Sequence, residues 1–215
     1  MTPGRTVGAA RQTAGVDHSP EAAVLRLRTL LTAVHDALAA GVAVSRAIHA
    51  EHGWNPQADR HLDHQLVRRE AMERLKPWDA DLDDPHTELT SGRQLDLFEA
   101  PVDNLGLPMS GLIVRTASDV LRIWHSDDGE LPAAATHGLR AFYRQPPSRQ
   151  TQLVLGQDGD LPAREHLALL WADGRTPETR GQLVRFDLVR PRGFVGRRVE
   201  VDWHADLLAH LRAAA

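Results

Sequence analysis

Apolar residues recur at helical spacing near the start of the chain. Ser19 followed by Pro20 is typical of the beginning of a helix, and Gly41 predicts its end. Between these points the apolar positions return every three or four residues, as they do on one face of a helix. We therefore expect one long amphipathic helix, with its inward positions at Val24, Leu27, Leu31, Val34 and Leu38.

The next segment predicts two more helices and a strand. Ser45 is a suitable cap for a short helix ending at Gly53, where a residue without Cβ tolerates the left-handed conformation that stops a helix. Asn55 and Pro56 predict the start of a third helix that runs to about Arg68, with Ala58, Leu62 and Leu66 inward. The following residues, AMERLKP, are interpreted as a strand.

After residue 108 the pattern changes from helical spacing to alternation. Turn-forming stretches such as QDGD, DGRTPETRG and PRGFVG separate the apolar segments, which is typical of antiparallel hairpins. The pattern of residues 133–144 fits either a helix or an irregular crossing segment. The segment ADLLAHLRAAA predicts a helix that closes the domain. The expected strands are GLIVRT, DVLRIWHS, TQLVL, EHLALLWA, GQLVRFDLVRP and RRVEVDWH.

Charge divides the 215 residues into parts. The net charge is only −4, but residues 77–103 hold eight acidic residues and one basic residue, with prolines at 85 and 101. Such a segment is typical of an extended connector. We predict an α+β protein with a flexible N-terminus (1–18), an N-terminal three-helix unit (19–77), an acidic linker (78–107) and a C-terminal antiparallel β-rich domain with a closing helix (108–215).

Composition excludes several kinds of site. The chain has no cysteine, which removes disulfides, thiolate zinc sites and cysteine nucleophiles. Lys76 is the only lysine, so a phosphate-binding loop that needs lysine cannot be built. The chain has no apolar run of about eighteen residues. We therefore expect a cytoplasmic protein without a membrane segment. The preference for arginine over lysine is a separate feature, typical of proteins from GC-rich genomes such as those of actinobacteria.

The segment VSRAIHAEHGWNPQADRHLDHQLVRREAMERLKP resembles the winged helix-turn-helix family, and the resemblance covers residues 21–77. It implies binding of double-stranded DNA, with the third helix in a groove and two arginines near phosphates. Groove contacts would come from Gln57, Arg60, His61, His64 and Arg68, and phosphate contacts from Arg46 and Arg69. The alternative is a packing unit with a solvated polar face, or a unit used only for protein contacts.

A short motif in the acidic segment points to a partner. QLDLF, residues 94–98, resembles the bacterial sliding-clamp-binding motif at all five positions. The resemblance implies that Leu97 and Phe98 are buried anchors in a clamp pocket and that Gln94 forms a hydrogen bond. The site would comprise Gln94, Leu95, Asp96, Leu97 and Phe98. The alternative is that these apolar residues fold back onto one of the domains.

Three other groups of residues are weaker candidates for a metal or nucleic-acid site. A metal site at His49, His52, His61 and His64 lacks any recognised ligand spacing, so a polar helix face is favoured and no metal or cofactor is predicted. Acidic residues on neighbouring strands suggest a nuclease-like divalent ion site at Asp187, Glu200, Asp202 and His204. Arginines and aromatic residues alternate at Arg140, Phe142, Tyr143, Arg144 and Arg149, a pattern that fits single-stranded nucleic acid or, as we favour, a half-buried edge.

These observations together predict a DNA-associated accessory protein without catalytic residues of its own. It would be recruited to the sliding clamp in replication, repair or the life of a mobile element. One alternative is a helix-turn-helix transcription regulator with a C-terminal sensing or partner domain. A second alternative is a metal-dependent nuclease. The sequence leaves the oligomeric state open.

Overall fold

The computed structural model describes residues 17–75, 112–116, 118–145 and 164–213. They form a helical hairpin, a five-stranded mixed sheet and two short helices. Mixed helix and sheet were expected from the sequence. The elements are α1 (Pro20–Glu51), α2 (Arg60–Leu75), β1 (Leu112–Arg115), β2 (Asp119–His125), α3 (His137–Tyr143), β3 (Glu165–Asp173), β4 (Leu183–Val195), β5 (Arg198–Asp206) and α4 (Leu207–Ala213).

Helix α1 begins where the sequence predicts, because the Ser19 hydroxyl accepts a hydrogen bond from the Ala22 amide at 3.2 Å. The predicted end at Gly41 and the separate helix start at Ser45 are wrong, since α1 is continuous to Glu51, but the predicted stop at Gly53 is confirmed by its left-handed φ of 65°. Gly41 has another role. A Cβ atom there would lie 2.6 Å from the Val67 carbonyl oxygen of α2. The glycine therefore allows the two helices to approach closely.

Helix α2 begins at Arg60 rather than at Asn55, and the Asp59 carboxylate accepts a hydrogen bond from the Leu62 amide at 3.0 Å. The strand predicted for AMERLKP is wrong for residues 71–75, which continue α2 and bury Ala71 and Leu75. Residues 20–75 thus contain two helices, α1 and α2. The three-helix winged-helix arrangement is not found in the described part of the N-terminal segment.

The sheet has the strand order β1-β2-β3-β4-β5. Strands β2 and β3 pair in parallel and the other neighbours pair antiparallel, so the expectation of a fully antiparallel sheet is wrong at this one pair. The connection from β2 to β3 includes α3, as a parallel pair needs a crossover. The predicted closing helix is confirmed as α4. The predicted strand TQLVL lies outside the described residues.

Each face of the sheet has its own apolar core. One face packs against α1, α2 and α4, and alternating strand residues such as Leu121, Leu167 and Phe186 point toward it. The other face, with Trp124, Ala168 and Leu170, packs against Leu139, Phe142 and Tyr143 of α3. Because β3 is covered on both sides, its LALLW run is buried throughout. The helical hairpin therefore shares a core with the sheet.

Buried charges connect α1 to the sheet. Arg26 of α1 lies 2.8 Å from Asp119 of β2 and 2.7 Å from Glu165 of β3. Glu165 also accepts a hydrogen bond from Arg190 of β4 at 2.6 Å, and Arg190 lies 2.7 Å from Asp202 of β5. Asp119, Glu165 and Arg190 are almost fully buried. Burial lowers the pKa of Arg26, but the two carboxylates outweigh it and raise the pKa above its ordinary value.

Helix α1 passes the length and composition test for a helix that could cross a membrane, and it is the one described helix that does so. Core helices of soluble proteins and signal sequences pass the same test. In this protein, α1 carries much of the core that covers one face of the sheet, with Leu27, Val34 and Leu38 buried.

Removing the charge of Glu165 should weaken the whole fold. We expect Glu165→Gln to lower the free energy of unfolding by about 3–5 kcal/mol, since Arg26 and Arg190 would lose a shared buried partner. Reversible urea unfolding measures the change. The matched control is Glu200→Gln, which removes a 3.5 Å ion pair to Arg192 on the surface and should cost less than ~1 kcal/mol. Equal effects of the two substitutions would contradict the account.

A methyl group at Gly41 should separate α1 from α2. In a helix, alanine is normally more stable than glycine by about 1 kcal/mol. The contact with the Val67 carbonyl should nevertheless make Gly41→Ala destabilising by about 1–3 kcal/mol. The control is Gly138→Ala in α3, where a Cβ meets nothing within 4 Å and stability should stay unchanged or rise slightly. Thermal unfolding of both variants compares them, and a stabilised Gly41→Ala protein would refute the close approach.

Candidate functional site

Three potential metal ligands converge where β2 and β3 end. His125 is the last residue of β2 and Asp173 is the last residue of β3, and because these strands are parallel, both ends meet at the same edge of the sheet. Helix α2 brings His64 to this edge. One ligand atom from each of the three side chains lies within 4.8 Å of the other two. We call these three residues the HHD cluster.

The two histidines of the HHD cluster face each other closely. Their ring centroids are 3.7 Å apart, with an angle of 32° between the ring planes. Trp171, two residues before Asp173 on β3, contacts the rings of His125 and His64 edge to face at 4.7 Å and 6.2 Å. The indole therefore restricts the orientation of both imidazoles. Asp173 is 6% exposed, whereas the two histidines are half-buried.

The spacing within the cluster suits metal ligands better than hydrogen bonds. His125 Nε2 lies 3.6 Å from Asp173 Oδ1 and 3.6 Å from Asp127 Oδ1, which is beyond hydrogen-bonding distance. This nitrogen is buried and has no hydrogen-bond partner among the described residues. Ligand atoms about 2.1 Å from a tetrahedral ion are roughly 3.4 Å apart. His125 Nε2 and Asp173 Oδ1 are therefore close to the spacing of two ligands of one ion, and the ligand atom of His64 lies within 4.8 Å of both side chains' ligand atoms.

The protonation states of two members also suit metal binding. Burial, followed by the neighbouring His125, lowers the pKa of His64 below its ordinary value. Burial raises the pKa of Asp173, but His125 and the Arg46 guanidinium outweigh it and lower the pKa overall. At neutral pH His64 is thus a neutral imidazole and Asp173 a carboxylate, which are the forms that bind metals.

A chain of polar contacts positions Asp173 from the helical hairpin. The Ser45 hydroxyl of α1 donates to Asp63 Oδ1 of α2 at 2.6 Å, and Asp63 Oδ2 lies 3.5 Å from Arg46 Nη2. Arg46 in turn donates to Asp173 Oδ2. The other carboxylate oxygen, Oδ1, faces His125. Arg46 thereby fixes which oxygen of Asp173 is directed to the cluster.

The HHD cluster lies between two hollows of different character. The first, of about 270 Å³, is partly apolar and includes Leu38, His61, Arg68 and Ile123 in its lining. The second, of about 360 Å³, is rich in arginine and includes His64 and Asp173 in its lining. We call the second hollow the arginine cleft. A ligand bound to a metal ion in the cluster would have space on either side.

The structure brings most of the predicted groove residues to these two hollows. Gln57 and Arg60, which are exposed, line the arginine cleft together with Arg46. His61 and Arg68 line the first hollow, and His64 lines both. Arg69 is exposed and lines neither hollow. Arg46 is paired with Asp63 and Asp173, and its predicted phosphate contact stays a prediction.

The other candidate groups are separated or buried. His49 lies 1% exposed in α1 and its Nδ1 donates to the Ser45 carbonyl at 2.8 Å, whereas His52 stacks on Trp54. Asp187 pairs with His204, Glu200 with Arg192 and Asp202 with Arg190, so these acidic residues do not form a ligand set. Phe142 and Tyr143 are buried in the second core, as the half-buried interpretation predicts. Arg149 lies outside the described residues.

The clamp-binding residues lie outside the described part of the chain. These are Gln94, Leu95, Asp96, Leu97 and Phe98. Their proposed role stays a prediction.

As a metal ligand, sequence reasoning considered His64 only alongside His49, His52 and His61, and it missed His125 and Asp173. Both missed residues stand at or just after the ends of predicted strands, directly after apolar residues, in RIWHSDD and ALLWADG. A polar, metal-binding residue type at the end of a buried strand was the available signal. Only the parallel pairing of β2 and β3 relates the two residues, because it places His125 opposite Trp171, two residues before Asp173.

Comparison of the chain with known protein families, with curated proteins and with solved structures finds no match. Function must therefore be argued from the geometry of the site.

Proposed function

We propose that this protein binds a divalent transition metal ion through His64, His125 and Asp173, and that its function depends on this ion. The observation that carries the proposal is the convergence of the three ligand atoms within 4.8 Å. The buried His125 Nε2, which lies between two carboxylate oxygens without a hydrogen bond from the described residues, supports it.

The ligand types select the class of metal. Two imidazoles and one carboxylate suit zinc and iron(II), while magnesium and calcium prefer oxygen ligands throughout. Three protein ligands leave at least one coordination position for water or another molecule, as in catalytic zinc sites and in two-histidine, one-carboxylate iron sites. The HHD cluster is therefore a candidate for a working metal centre rather than a closed structural one.

Metal titration of the full chain tests the proposal. By isothermal titration calorimetry with zinc chloride, and with iron(II) under anaerobic conditions, we expect one ion per chain. His64→Ala and His125→Ala should each weaken metal binding at least about 100-fold, because the loss of even an outer-shell residue can lower metal affinity 10–100-fold. The melting temperature of the unsubstituted protein should rise with metal concentration, since the ion binds the folded state.

His61→Ala is the matched control, because His61 lies on α2 three residues before His64 and outside the HHD cluster. Circular dichroism shows whether each variant keeps its helices. Loss of metal binding in His61→Ala but not in His64→Ala, or absence of binding by the unsubstituted chain, would overturn the proposal.

A second candidate function is recruitment to the bacterial sliding clamp on DNA, which the five-position match of QLDLF favours. We propose that Leu97 and Phe98 fill a pocket on the clamp. Double-stranded DNA would then contact exposed polar residues on α2 and in the loop before it, such as Gln57, Arg60, His61 and Arg69. A protein with this role would act in the cytoplasm. The metal centre and clamp recruitment are compatible, since they use different parts of the chain.

Clamp binding is tested with the full chain and the purified clamp. We expect micromolar affinity, about −8 kcal/mol, and its loss in the double substitution Leu97→Ala and Phe98→Ala. Surface plasmon resonance on immobilised clamp measures both. The matched control is Leu82→Ala with Leu89→Ala, which removes two leucines from the same acidic segment and should leave affinity unchanged. Unaltered binding by the Leu97 and Phe98 variant would refute the motif.

A further inference from the structure

The arginine cleft carries more positive charge than its own acidic residues balance. Its lining includes four arginines, Arg46, Arg60, Arg175 and Arg180, and two aspartates, Asp63 and Asp173. Arg46 is paired with both aspartates, and Arg175 is paired with the nearby Asp127. The excess charge therefore belongs to the remaining two arginines.

Arg60 and Arg180 are available to a ligand. Arg60 begins α2, and its side chain is 57% exposed and no closer than 3.8 Å to Asp127, its ion-pair partner among the described residues. Arg180 is exposed, and its guanidinium has no ion pair with any residue that the structure describes. The loop between α1 and α2 is held against the same wall of the cleft, because the Gln57 side chain donates to the Arg175 carbonyl at 3.5 Å.

An exposed aromatic residue completes the cleft. Trp54 is 50% exposed, although it is one of the largest apolar side chains in the protein. His52 stacks on it with 4.5 Å between ring centroids, which restricts the orientation of the indole. Asn55 and Gln57 beside it offer amide groups for hydrogen bonds. An aromatic ring in a positively charged cleft is suited to a ligand with an aromatic group and an anionic group.

We propose that the arginine cleft binds a phosphate monoester that carries an aromatic ring, such as a nucleoside monophosphate. Its phosphate contacts Arg60 and Arg180, and its ring lies on Trp54. The inference rests on the proposed metal centre, because His64 and Asp173 line the cleft and a phosphate oxygen takes the ion's open position. Phosphate suits this lining better than carboxylate, since it offers three terminal oxygens to guanidinium donors and a metal ion, whereas a carboxylate offers two.

The dimensions of the cleft agree with a small ligand. A volume of about 360 Å³ falls within the range of roughly 300–1,000 Å³ that is usual for small-molecule sites. The cleft is open to solvent on the side of Arg60 and Trp54, which are both exposed. Arg180 is exposed as well, so the phosphate-binding arginines and the aromatic ring are all reached from solvent.

Calorimetric titration of the zinc-loaded full chain with adenosine 5′-monophosphate tests the inference. Arg60→Ala and Arg180→Ala should each weaken binding about tenfold or more, the effect of losing a charge-assisted hydrogen bond. Trp54→Ala should weaken binding of the nucleotide but leave ribose 5-phosphate unchanged. Removal of zinc by a chelator should weaken both ligands about tenfold or more. Arg69→Ala is the matched control and should change nothing, since Arg69 lies outside the cleft.

Zinc titration of the same samples separates this inference from the proposed metal centre. Zinc binding without nucleotide binding would overturn the inference and leave the metal centre standing. Absence of zinc binding would overturn the metal centre, and with it the placement of phosphate on the ion. Nucleotide affinity of the Arg60→Ala and Arg180→Ala variants that is unchanged from that of the unsubstituted protein would also overturn the inference. Equal affinity of both phosphate esters for the unsubstituted protein would refute the aromatic contact with Trp54.

Discussion

The buried ion network at Glu165 is the interaction on which the rest of the structure depends. Glu165 accepts hydrogen bonds from Arg26 of α1 and from Arg190 of β4. Arg26 also donates to Asp119 of β2, and Arg190 also donates to Asp202 of β5. Buried charges are costly unless each one is paired and hydrogen-bonded. The network therefore requires one arrangement of α1 across the sheet. Apolar packing supplies most of the driving force, but it is less directional than these contacts.

This arrangement also determines where the metal ligands meet. Asp119 and Glu165 are the first residues of β2 and β3, and they pair in the register of the two parallel strands. Their common start places His125 and Asp173 at a common end, while α1 carries α2 and therefore His64 to the same edge. Gly41 contributes by allowing α2 to lie close to α1 at Val67. The ion network and the HHD cluster are thus opposite ends of one strand pair.

The sequence predicted local features better than contacts between distant residues. The Ser19 cap, the closing helix α4 and the predicted strands of the C-terminal domain that fall within the described residues follow from neighbouring residues, and the structure confirms them. Gly41 was misinterpreted because a glycine at a helix end and a glycine at a close helix contact look alike without α2. The antiparallel expectation failed at β2 and β3 because pairing depends on the crossover. His64, His125 and Asp173 are 61 and 48 residues apart, so no local spacing rule joins them.

The central claim is that His64, His125 and Asp173 bind one metal ion together. X-ray absorption spectroscopy of the zinc-loaded protein tests it most directly, because it reports the atoms around the ion. The account predicts nitrogen and oxygen ligands at ~2.0–2.2 Å and the outer-shell scattering of two imidazoles, reduced to one imidazole in His125→Ala. A six-coordinate shell of oxygen atoms without imidazole scattering, or a spectrum unchanged in His125→Ala, would contradict the account.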